Sequence, residues 1–377
     1  MILLLSLLAL AIWLYLIGFR GGFWRSGPVL DEGEPSGKAP VAVVVPARNE
    51  AESIRTSLTS LLAQNYPGPL SILLVDDNST DATGEIAASL STGARLTVLK
   101  GQPLPAGWSG KLWAIHQGLA HENAKTAGYI LLTDADIEHA PGHISALVAK
   151  AEAGGLDLVS EMVHLHCSTA AERALIPAFV FFFQMLYPFA WTADPARRTA
   201  GAAGGTMLIS RPAIDRIDGV SRIRAELIDD CALASQIKST GGRIWLGHSN
   251  RAVSLRIYSE WRDIWNMIAR TAYEQLRHSL LMLAGCVLGM ALVYCAPPLL
   301  ALAAQGLPRL LGALAWLGMA LVFQPTLKRY RRSPLWGAVL PLVALFYLCA
   351  TVASAVRHYA GRGGGWKDRV YNQTPHP

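Results

Sequence analysis

The chain has 377 residues, of which 52% are hydrophobic and only 16% charged, and its mean hydropathy is +0.30. Soluble domains carry about 25% charged residues, so part of this chain is expected to lie in lipid. The net charge is +6, and much of the basic excess flanks the apolar segments, which fits anionic headgroups better than nucleic acid. We therefore expect no nucleic-acid partner. The five cysteines form no C-x-x-C pair and are expected to be small buried side chains in a reducing compartment.

The first apolar segment covers residues 2–19 and is followed by Arg20 and Arg25. A cleaved signal peptide would need a basic start, a shorter apolar stretch and a small-residue cleavage site, and these features are missing. We therefore predict an uncleaved transmembrane helix over residues 1–22, with its basic flank in the cytoplasm. Residues 23–40 are expected to form a polar linker.

Short β-branched runs alternate with stretches of helical spacing from residue 41 to about residue 258. This alternation predicts an α/β domain with a mostly parallel sheet and helices on both faces. Ligands of such sheets bind beyond the carboxyl ends of the strands. The expected strands are 41–45, 72–75, 96–99, 129–132, 156–160 and 207–209, and the expected helices are 50–64, 80–90 and 110–122.

Polar residues follow the first two of these strands. The first strand ends in VPARNE (residues 45–50), where backbone N–H groups and side chains can meet a nucleotide. The second ends in DDNSTD (residues 76–81), where Asn78, Ser79 or Thr80 can cap the next helix. A cap does not explain the two preceding acids, and a carboxylate at that point can accept a hydrogen bond from a base-ring N–H.

Two carboxylates, Asp134 and Asp136, follow the apolar run 129–132. At a strand's carboxyl end they can converge on one Mg²⁺ or Mn²⁺ ion, which is typically held by one or two carboxylates and substrate phosphates. Lys111 begins a helix after a Pro- and Gly-rich loop and can reach a diphosphate as a point charge. Each of these features alone also fits a solvated turn or surface residue.

The pieces VPARNE, VDDNSTD (75–81), GKLWAIHQG (110–118), TDAD (133–136) and ELIDDCALA (226–234), in this order, resemble the family 2 glycosyltransferases. The family implies a GT-A fold, a nucleotide-diphosphate sugar donor, a divalent cation and an inverting displacement. It also implies roles for individual residues. These are Ala47, Arg48, Glu50, Asp77, Lys111 and Asp134 for the donor, Asp134 and Asp136 for the metal, Asp230 as general base with Asp229 beside it, and Gly204 and Gly205 on the acceptor side.

An alternative explains Asp229 and Asp230 as an acidic helix start favoured by the helix dipole. The apolar, aromatic segment 175–191 likewise leaves two explanations open. It can be part of the core or a membrane-facing acceptor wall. Pro177 and Pro188 argue against a span through it.

Residues 259–278 show a Trp-rich amphipathic pattern typical of a helix in the membrane interface, although a surface helix packed on the domain gives a similar pattern. Three apolar segments follow, at about 280–303, 308–324 and 335–356 within 279–356, and predict two to three transmembrane helices. If all three span, the basic tail 357–377 lies outside, against the positive-inside rule, so the number of spans stays open.

Processive synthases of this family carry Gln-x-x-Arg-Trp on the interfacial helix, whereas this chain has Glu274-Gln275-Leu276-Arg277-His278. Polymer synthesis is therefore disfavoured, while Arg277 remains a candidate donor contact. VPARNE, LIDDCALA (227–234), RTAY (270–273) and WKDR (366–369) look most like the hopene-associated branch, which is related to the ceramide glucosyltransferases. That resemblance implies a lipid acceptor, such as a hopanoid. From the apolar segments and their basic flanks we expect an integral membrane protein, placed in a bacterial inner membrane with a cytoplasmic catalytic domain. The alternative functions are those of a processive polysaccharide synthase, a sugar-phosphate nucleotidyltransferase and a non-catalytic membrane scaffold. The sugar, the nucleotide and the oligomeric state are not specified.

Overall fold

The computed structural model describes residues 1–361, 363, 365–366 and 369–370, and all six strands predicted from the sequence are present among them. Two further strands join them in one sheet. In chain order the strands of this sheet are β1 (Val41–Ala47), β2 (Leu70–Asp76), β3 (Leu96–Lys100), β4 (Tyr129–Thr133), β5 (Ile137–His139), β6 (Leu158–His164), β7 (Thr206–Ser210) and β8 (Ile244–Ser254). A separate short pair is formed by β9 (Gly365–Trp366) and β10 (Arg369–Val370).

The spatial order of the large sheet is β3-β2-β1-β4-β7-β6-β8-β5, and it is mixed rather than uniformly parallel. Strands β1 to β4 run parallel, β7 is antiparallel to both β4 and β6, and β8 runs parallel to β6. Strands β1, β2, β4 and β8 therefore end at the same edge, which we call the carboxyl edge. Strand β7 begins there, because Thr133 at the end of β4 pairs with Thr206 at its start.

Helices cover both faces of the sheet. In the domain and its connections the helices are α1 (Ile2–Phe19), α2 (Ile54–Leu62), α3 (Thr83–Leu90), α4 (Gly110–Leu119), α5 (Glu122–Lys125), α6 (His143–Gly154), α7 (Ala170–Leu186), α8 (Phe189–Ala193), α9 (Arg211–Arg216) and α10 (Asp229–Ser239). Every residue of β1 is buried, since Val43 packs in the cluster on one face and Val44 in the cluster on the other. Each such valine contributes about 1.5–3 kcal/mol through burial, which explains the continuous apolar run.

Strand β8 was not predicted because polar residues interrupt its pattern. His248 and Ser249 are nevertheless buried inside it. The segment preceding β1 covers this strand, since the backbone N–H of His248 donates to Pro28 O at 2.7 Å and Leu30 N donates to His248 O at 3.3 Å. Part of the region predicted as a polar linker is thus held against the sheet by backbone hydrogen bonds.

The second half of the chain is helical. Its helices are α11 (Trp261–Gln275), α12 (Leu280–Met290), α13 (Ala296–Ala303), α14 (Leu307–Val322), α15 (Gln324–Arg329) and α16 (Trp336–Tyr359). A π-helical turn, Ala291–Cys295, joins α12 to α13. The helix therefore continues past Pro297-Pro298, because a π-turn lets the chain absorb the missing backbone hydrogen bonds locally.

Within the described residues, five helical stretches are long and apolar enough to cross a membrane: Ile2–Phe19, Ala170–Ala193, Leu280–Ala303, Leu307–Arg329 and Trp336–Tyr359. The N-terminal and the three C-terminal segments match the sequence prediction. The second stretch comprises α7 and α8, and it is long and apolar enough to span although its two prolines were expected to argue against a span. Pro177 is buried inside α7, whereas Pro188 separates α7 from α8.

Helix α11 begins with a capping box between Glu260 and Asp263 and packs on α16. Its apolar side is buried through Ile264 and Ile268, while Trp261 is half exposed. Its place in the membrane interface stays a prediction. Of the predicted basic tail 357–377, residues 362, 364, 367–368 and 371–377 lie outside the described residues, and these include Lys367 and Asp368 of the WKDR motif.

Candidate functional site

The loops that follow β1 and β2 are tied together at the carboxyl edge. Arg48 Nη1 donates to Asp77 O at 2.5 Å and to Asn78 O at 3.0 Å. In return, Asn49 N donates to the Ser79 hydroxyl at 3.1 Å. Asn49 and Asn78 both adopt positive φ, at +51° and +53°, a conformation that asparagine tolerates better than most residues. The two predicted nucleotide-side motifs thus form one interlocked surface.

The expectation that Asn78, Ser79 or Thr80 caps the next helix is wrong. Helix α3 starts after Ala82, which has no side-chain cap, and the Ser79 hydroxyl instead receives a hydrogen bond from the β1 loop. The side chain that bonds to the start of α3 is instead that of Asp81, whose carboxylate accepts from Thr83 N at 3.0 Å. Burial acts to raise the pKa of Asp81, but the hydrogen bonds from Thr83 outweigh it and hold this pKa below its usual value.

The residues expected at the nucleotide lie side by side. Asp77 is fully buried, and its backbone N–H donates to Ala47 O at 2.8 Å. Glu50 follows in the same loop as Arg48, and its backbone N–H donates to the Thr83 hydroxyl at 2.7 Å. The structure therefore brings Ala47, Arg48, Glu50 and Asp77 together, as the motif order requires, at the ends of adjacent parallel strands.

Lys111 joins two acidic segments that are far apart in the sequence. Its Nζ lies 2.9 Å from Asp134 Oδ1, at the end of β4, and 3.1 Å from Asp229 Oδ2, at the start of α10. Helix α4 presents this lysine in its first turn because Ser109 caps the helix just before it. Burial acts to lower the pKa of Lys111, but Asp134 and Asp229 raise it above its usual value. The site therefore keeps a fixed positive charge at the carboxyl edge.

Asp230 lies beside this cluster with both carboxylate oxygens hydrogen-bonded to backbone. Oδ2 accepts from Gly204 N at 2.9 Å, and Oδ1 accepts from Cys231 N at 2.7 Å. Burial, followed by the charge of Asp229, raises the pKa of Asp230 from 3.8 to about 6, although Lys111 and these hydrogen bonds oppose the change. A carboxylate with a pKa close to neutrality is suited to accept a proton in a reaction.

The loop of small residues before β7 (201–205), which we call the glycine loop, passes close to these groups. A Cβ atom on Gly204 would lie 3.4 Å from Lys111 Nζ and 3.5 Å from Asp230 Oδ2. On Gly205 it would lie 2.8 Å from Val163 Cγ1, which is too close for an unstrained contact. Glycine is therefore required at position 205 for packing, and at position 204 it keeps the backbone close to the acidic cluster.

Arg256 was missed by the sequence analysis and follows β8 at the same edge. Leu255 N donates to Asp136 O at 2.7 Å, so this chain segment touches the loop that carries the paired acids. Burial acts to lower the pKa of Arg256, but Tyr258 and then Asp136 and Glu50 raise it above its usual value. The positively charged Arg256 side chain therefore lies near both the nucleotide-side loop and the paired acids. Recognising β8 as a strand would have revealed it.

The carboxyl-terminal end of α11 meets the glycine loop through Tyr187. The Gln275 side-chain Nε2 donates to Tyr187 OH at 2.8 Å, and a Cβ atom on Gly201 would lie 2.9 Å from the Tyr187 ring. Arg277 follows the end of this helix with a positive φ of +51°. The structure places it in the turn between α11 and α12, with its backbone N–H donating to Glu274 O at 2.8 Å.

The donor set at the paired acids suits a hard divalent cation. Asp134 and Asp136 flank one residue on a short loop, and an ion such as Mg²⁺ or Mn²⁺ commonly takes one or two carboxylates and completes its shell with water and phosphate oxygens. Across the residues the structure describes, no cluster of three or more His, Cys, Asp or Glu side chains is placed to hold a metal by itself. A cation held by Asp134 and Asp136 would therefore need further ligands, such as water or phosphate oxygens.

Residues 42–217, just under half of the chain, match the sequence profile described as Glycosyl transferase family 2. The chain carries a family 2 glycosyltransferase domain. The predicted resemblance to this family is thus confirmed at the level of the domain, while the hopene-associated branch stays a prediction. The matched region contains the nucleotide-side loops, Lys111, the paired acids and the glycine loop, and it ends before Asp229, Asp230 and Arg256.

Curated relatives are similar over part of their length. Glycosyltransferase AglE of Haloferax volcanii is 31% identical over 139 residues, which is 35% of this chain and 43% of that protein. The undecaprenyl-phosphate 4-deoxy-4-formamido-L-arabinose transferase of Salmonella choleraesuis is 32% identical over 120 residues, 30% of this chain and 34% of the relative. The matches thus span less than half of these relatives.

Among solved structures, the mannosyltransferase PcManGT from Pyrobaculum calidifontis, in complex with GDP-Man and Mn²⁺, aligns with 95% of this chain and 99% of its own, with a TM-score of 0.58. The sequence identity is 19%, so this likeness concerns the fold. Together with the strand order above, it confirms the GT-A fold, with one apolar helix before the sheet and several after it.

Proposed function

We propose that this protein is a membrane-bound inverting glycosyltransferase that moves a sugar from a nucleoside-diphosphate donor to a hydroxyl group of a membrane lipid. The observation that carries this proposal is the position of Asp230. It lies within one cluster with Lys111, Asp229 and Asp134, at the carboxyl edge where substrates of α/β sheets bind. A non-catalytic scaffold would have no need for a buried carboxylate held in this way.

Asp230 accepts the proton of the acceptor hydroxyl while the acceptor oxygen attacks the anomeric carbon. Inversion in a single displacement requires this one base and no covalent nucleophile. The hydrogen bonds from Gly204 N and Cys231 N fix the orientation of the carboxylate, and Asp229 beside it favours the protonated product of this step.

Lys111 and Arg256 provide positive charge for the diphosphate, and Ala47, Arg48, Glu50 and Asp77 surround the nucleoside. Asp134 and Asp136 would hold a divalent cation, which would supply positive charge to the departing nucleoside diphosphate. Arg277, in the turn after α11, is proposed as a further donor contact.

The acceptor is proposed to be a lipid because the base lies next to helices of the apolar half of the chain. Tyr187, at the end of α7, is hydrogen-bonded to Gln275, at the end of α11, and it contacts Gly201 in the loop that continues to Gly204 and Gly205. The short motifs shared with the hopene-associated branch favour a hopanoid. We propose that the catalytic domain faces the cytoplasm at a bacterial inner membrane.

A phosphorylated lipid is the second candidate, favoured by the relative named for undecaprenyl phosphate. The protonation of Asp230 distinguishes the two acceptors. A phosphate acceptor is already anionic at neutral pH and needs no base, whereas a hydroxyl must lose its proton. A buried carboxylate with a pKa of about 6 therefore favours the hydroxyl.

The test incubates the purified protein with fractionated membrane lipids, Mn²⁺ or Mg²⁺, and a panel of labelled sugar nucleotides. Mass spectrometry of the products identifies donor and acceptor together and measures the number of sugars added. One sugar on a lipid hydroxyl supports the proposal, whereas long polymers would establish a processive synthase. The Asp230→Asn variant should bind the donor but fail to transfer, and transfer by this variant at the wild-type rate would refute its role as base.

A further inference from the structure

Four buried side chains form a continuous hydrogen-bonded series beneath the paired acids. The Thr133 hydroxyl lies 3.0 Å from His139 Nε2, His139 Nδ1 lies 2.8 Å from His143 Nδ1, and His143 Nε2 lies 2.5 Å from Glu161 Oε2. All four are at most 2% exposed. None of them is used in the transfer step, so their burial calls for another explanation.

The direction of each hydrogen bond follows from its partners. The Thr133 hydroxyl donates to Gly205 O at 2.7 Å, so it must accept from His139 Nε2–H. Burial, followed by the neighbouring His143, lowers the pKa of His139 well below its usual value, so this ring is neutral and its Nδ1 accepts from His143 Nδ1–H. One proton then lies between His143 Nε2 and Glu161 Oε2.

This series, which we call the relay, closes a loop in the chain. Thr133 ends β4 and His139 ends β5, and the only residues between them are those of the paired-acid turn and β5. Their hydrogen bond joins the two ends of the segment that carries Asp134 and Asp136. The far end of the relay is fixed, since His143 starts α6 and Glu161 lies within β6.

The base of the segment is also fixed from the other side. Gln64, on the turn after α2, donates to Ala140 O at 2.8 Å and accepts from Ile144 N at 3.1 Å. His139 N donates to the Ser60 hydroxyl at 3.0 Å. The backbone after β5 is therefore held by hydrogen bonds from the segment around α2, and the Thr133 hydroxyl connects the start of the paired-acid turn to the relay.

We propose that His139, His143 and Glu161 are positioning residues, which act through Thr133 to hold Asp134 and Asp136 in the arrangement that binds a divalent cation. The inference rests on the proposed function, since it assumes that these two carboxylates bind the metal. Partners that orient metal ligands commonly change metal affinity about 10- to 100-fold when they are removed.

The test measures the Mn²⁺ affinity of the purified full-length protein from the electron paramagnetic resonance signal of free Mn²⁺, with UDP or GDP present. Thr133→Val removes the hydroxyl at nearly constant shape and should raise the Kd about tenfold, whereas Thr133→Ser should stay within about twofold of the wild type. Thr206→Val is the matched control. Its hydroxyl is also buried and donates to Gly205 O, at 2.8 Å, but it lies outside the relay.

Two substitutions of Glu161 test the far end of the relay and serve if Thr133→Val does not fold. Glu161→Gln can keep a hydrogen bond to the ring by donating its amide N–H to His143 Nε2, and it should retain the wild-type Mn²⁺ affinity. Glu161→Met can make no such hydrogen bond and should weaken the affinity. A role in folding alone would lower the thermal stability of both variants without this difference in Kd.

The outcomes separate the inference from the proposed function. Wild-type affinity in both Thr133→Val and Glu161→Met would refute the relay's role while leaving the metal site intact. Failure of the wild-type protein to bind Mn²⁺ with either nucleotide would instead refute the metal role of Asp134 and Asp136, and the inference with it.

Discussion

The pH dependence of transfer offers a direct test of Asp230 as the general base. A base acts only when it is deprotonated, so a raised pKa moves the loss of activity on acidification to a higher pH. Burial and the charge of Asp229 raise the pKa of Asp230 from 3.8 to about 6. The value of kcat/KM should therefore fall as the pH drops through about 6.

The expected size of this effect is large enough to measure. One pH unit below its pKa, about one-eleventh of a titrating group is deprotonated. The wild-type protein should thus retain about a tenth of its maximal kcat/KM at pH 5. A base with the unshifted pKa of 3.8 would retain more than about nine-tenths at the same pH.

Asp229→Asn tests the cause of the shift. The substitution keeps the shape of a side chain whose oxygen lies 3.1 Å from Lys111 Nζ, but it removes the negative charge that helps to raise the pKa of Asp230. The midpoint of the pH profile should therefore move to lower pH. Asp218→Asn is a matched control because it removes the same charge at an exposed position, where asparagine also tolerates the positive φ of +60°.

The assay measures initial rates with labelled donor below its KM across a range from about pH 5 to pH 8, which brackets the expected midpoint. Donor binding and tryptophan fluorescence, followed in parallel at each pH, separate loss of the base from loss of donor affinity or of folding. A flat profile over this range in a protein that remains folded would refute the assignment, as would an Asp229→Asn midpoint equal to that of the wild type.

Three further predictions concern the donor site and the packing around it. Asp136→Asn should weaken Mn²⁺-dependent donor binding about tenfold or more, because one of the two proposed anionic ligands becomes neutral. Isothermal titration calorimetry with and without Mn²⁺ measures the change in donor affinity. An equal loss of donor affinity in both conditions would contradict the metal role. Arg256→Gln should weaken donor binding about 10- to 100-fold, as expected for loss of a charged hydrogen bond, while Arg262→Gln on the exposed side of α11 should not. Gly118→Ala should lower the melting temperature, because the new Cβ would lie 2.5 Å from Val44 Cγ1. Overpacking costs about 1–3 kcal/mol, which exceeds the helix-propensity gain of about 1 kcal/mol. Unchanged or higher stability would show that the core side chains can rearrange around the added methyl group.

The fold could be predicted largely because buried parallel strands have a simple signature. The runs at β1, β2 and β4 are apolar at nearly every position, since helices cover both faces of the sheet there. Strand β8 lacks that signature because His248, Ser249 and Asn250 occur within it. Its backbone bonds to Pro28 and Leu30, which no periodic pattern in the sequence reveals, complete its burial.

The candidate site divides in the same way. Acids at the ends of apolar runs could be assigned to one edge of the sheet, because parallel strands end together, and this placed Asp77, Asp134 and Asp136 near one another. Asp230 could be assigned only through the family resemblance, since it follows no predicted strand. The structure brings it next to Lys111 through the loop before β7, which is antiparallel to β4 and so begins where β4 ends.

Arg256 and the relay escaped prediction for a related physical reason. Arg256 can be assigned to the site only if the strand before it is known to end at the carboxyl edge, and β8 was not predicted as a strand. His139, His143 and Glu161 are separated in sequence by a turn and a helix, and their side chains meet only because β5, α6 and β6 pack around one buried point. A buried glutamate is costly unless it is hydrogen-bonded, so the position of Glu161 in the middle of a buried strand indicates that it has a partner. The sequence contains ten histidines and does not indicate which of them pairs with Glu161. The partner is His143 because α6, which begins with this residue, packs next to β6.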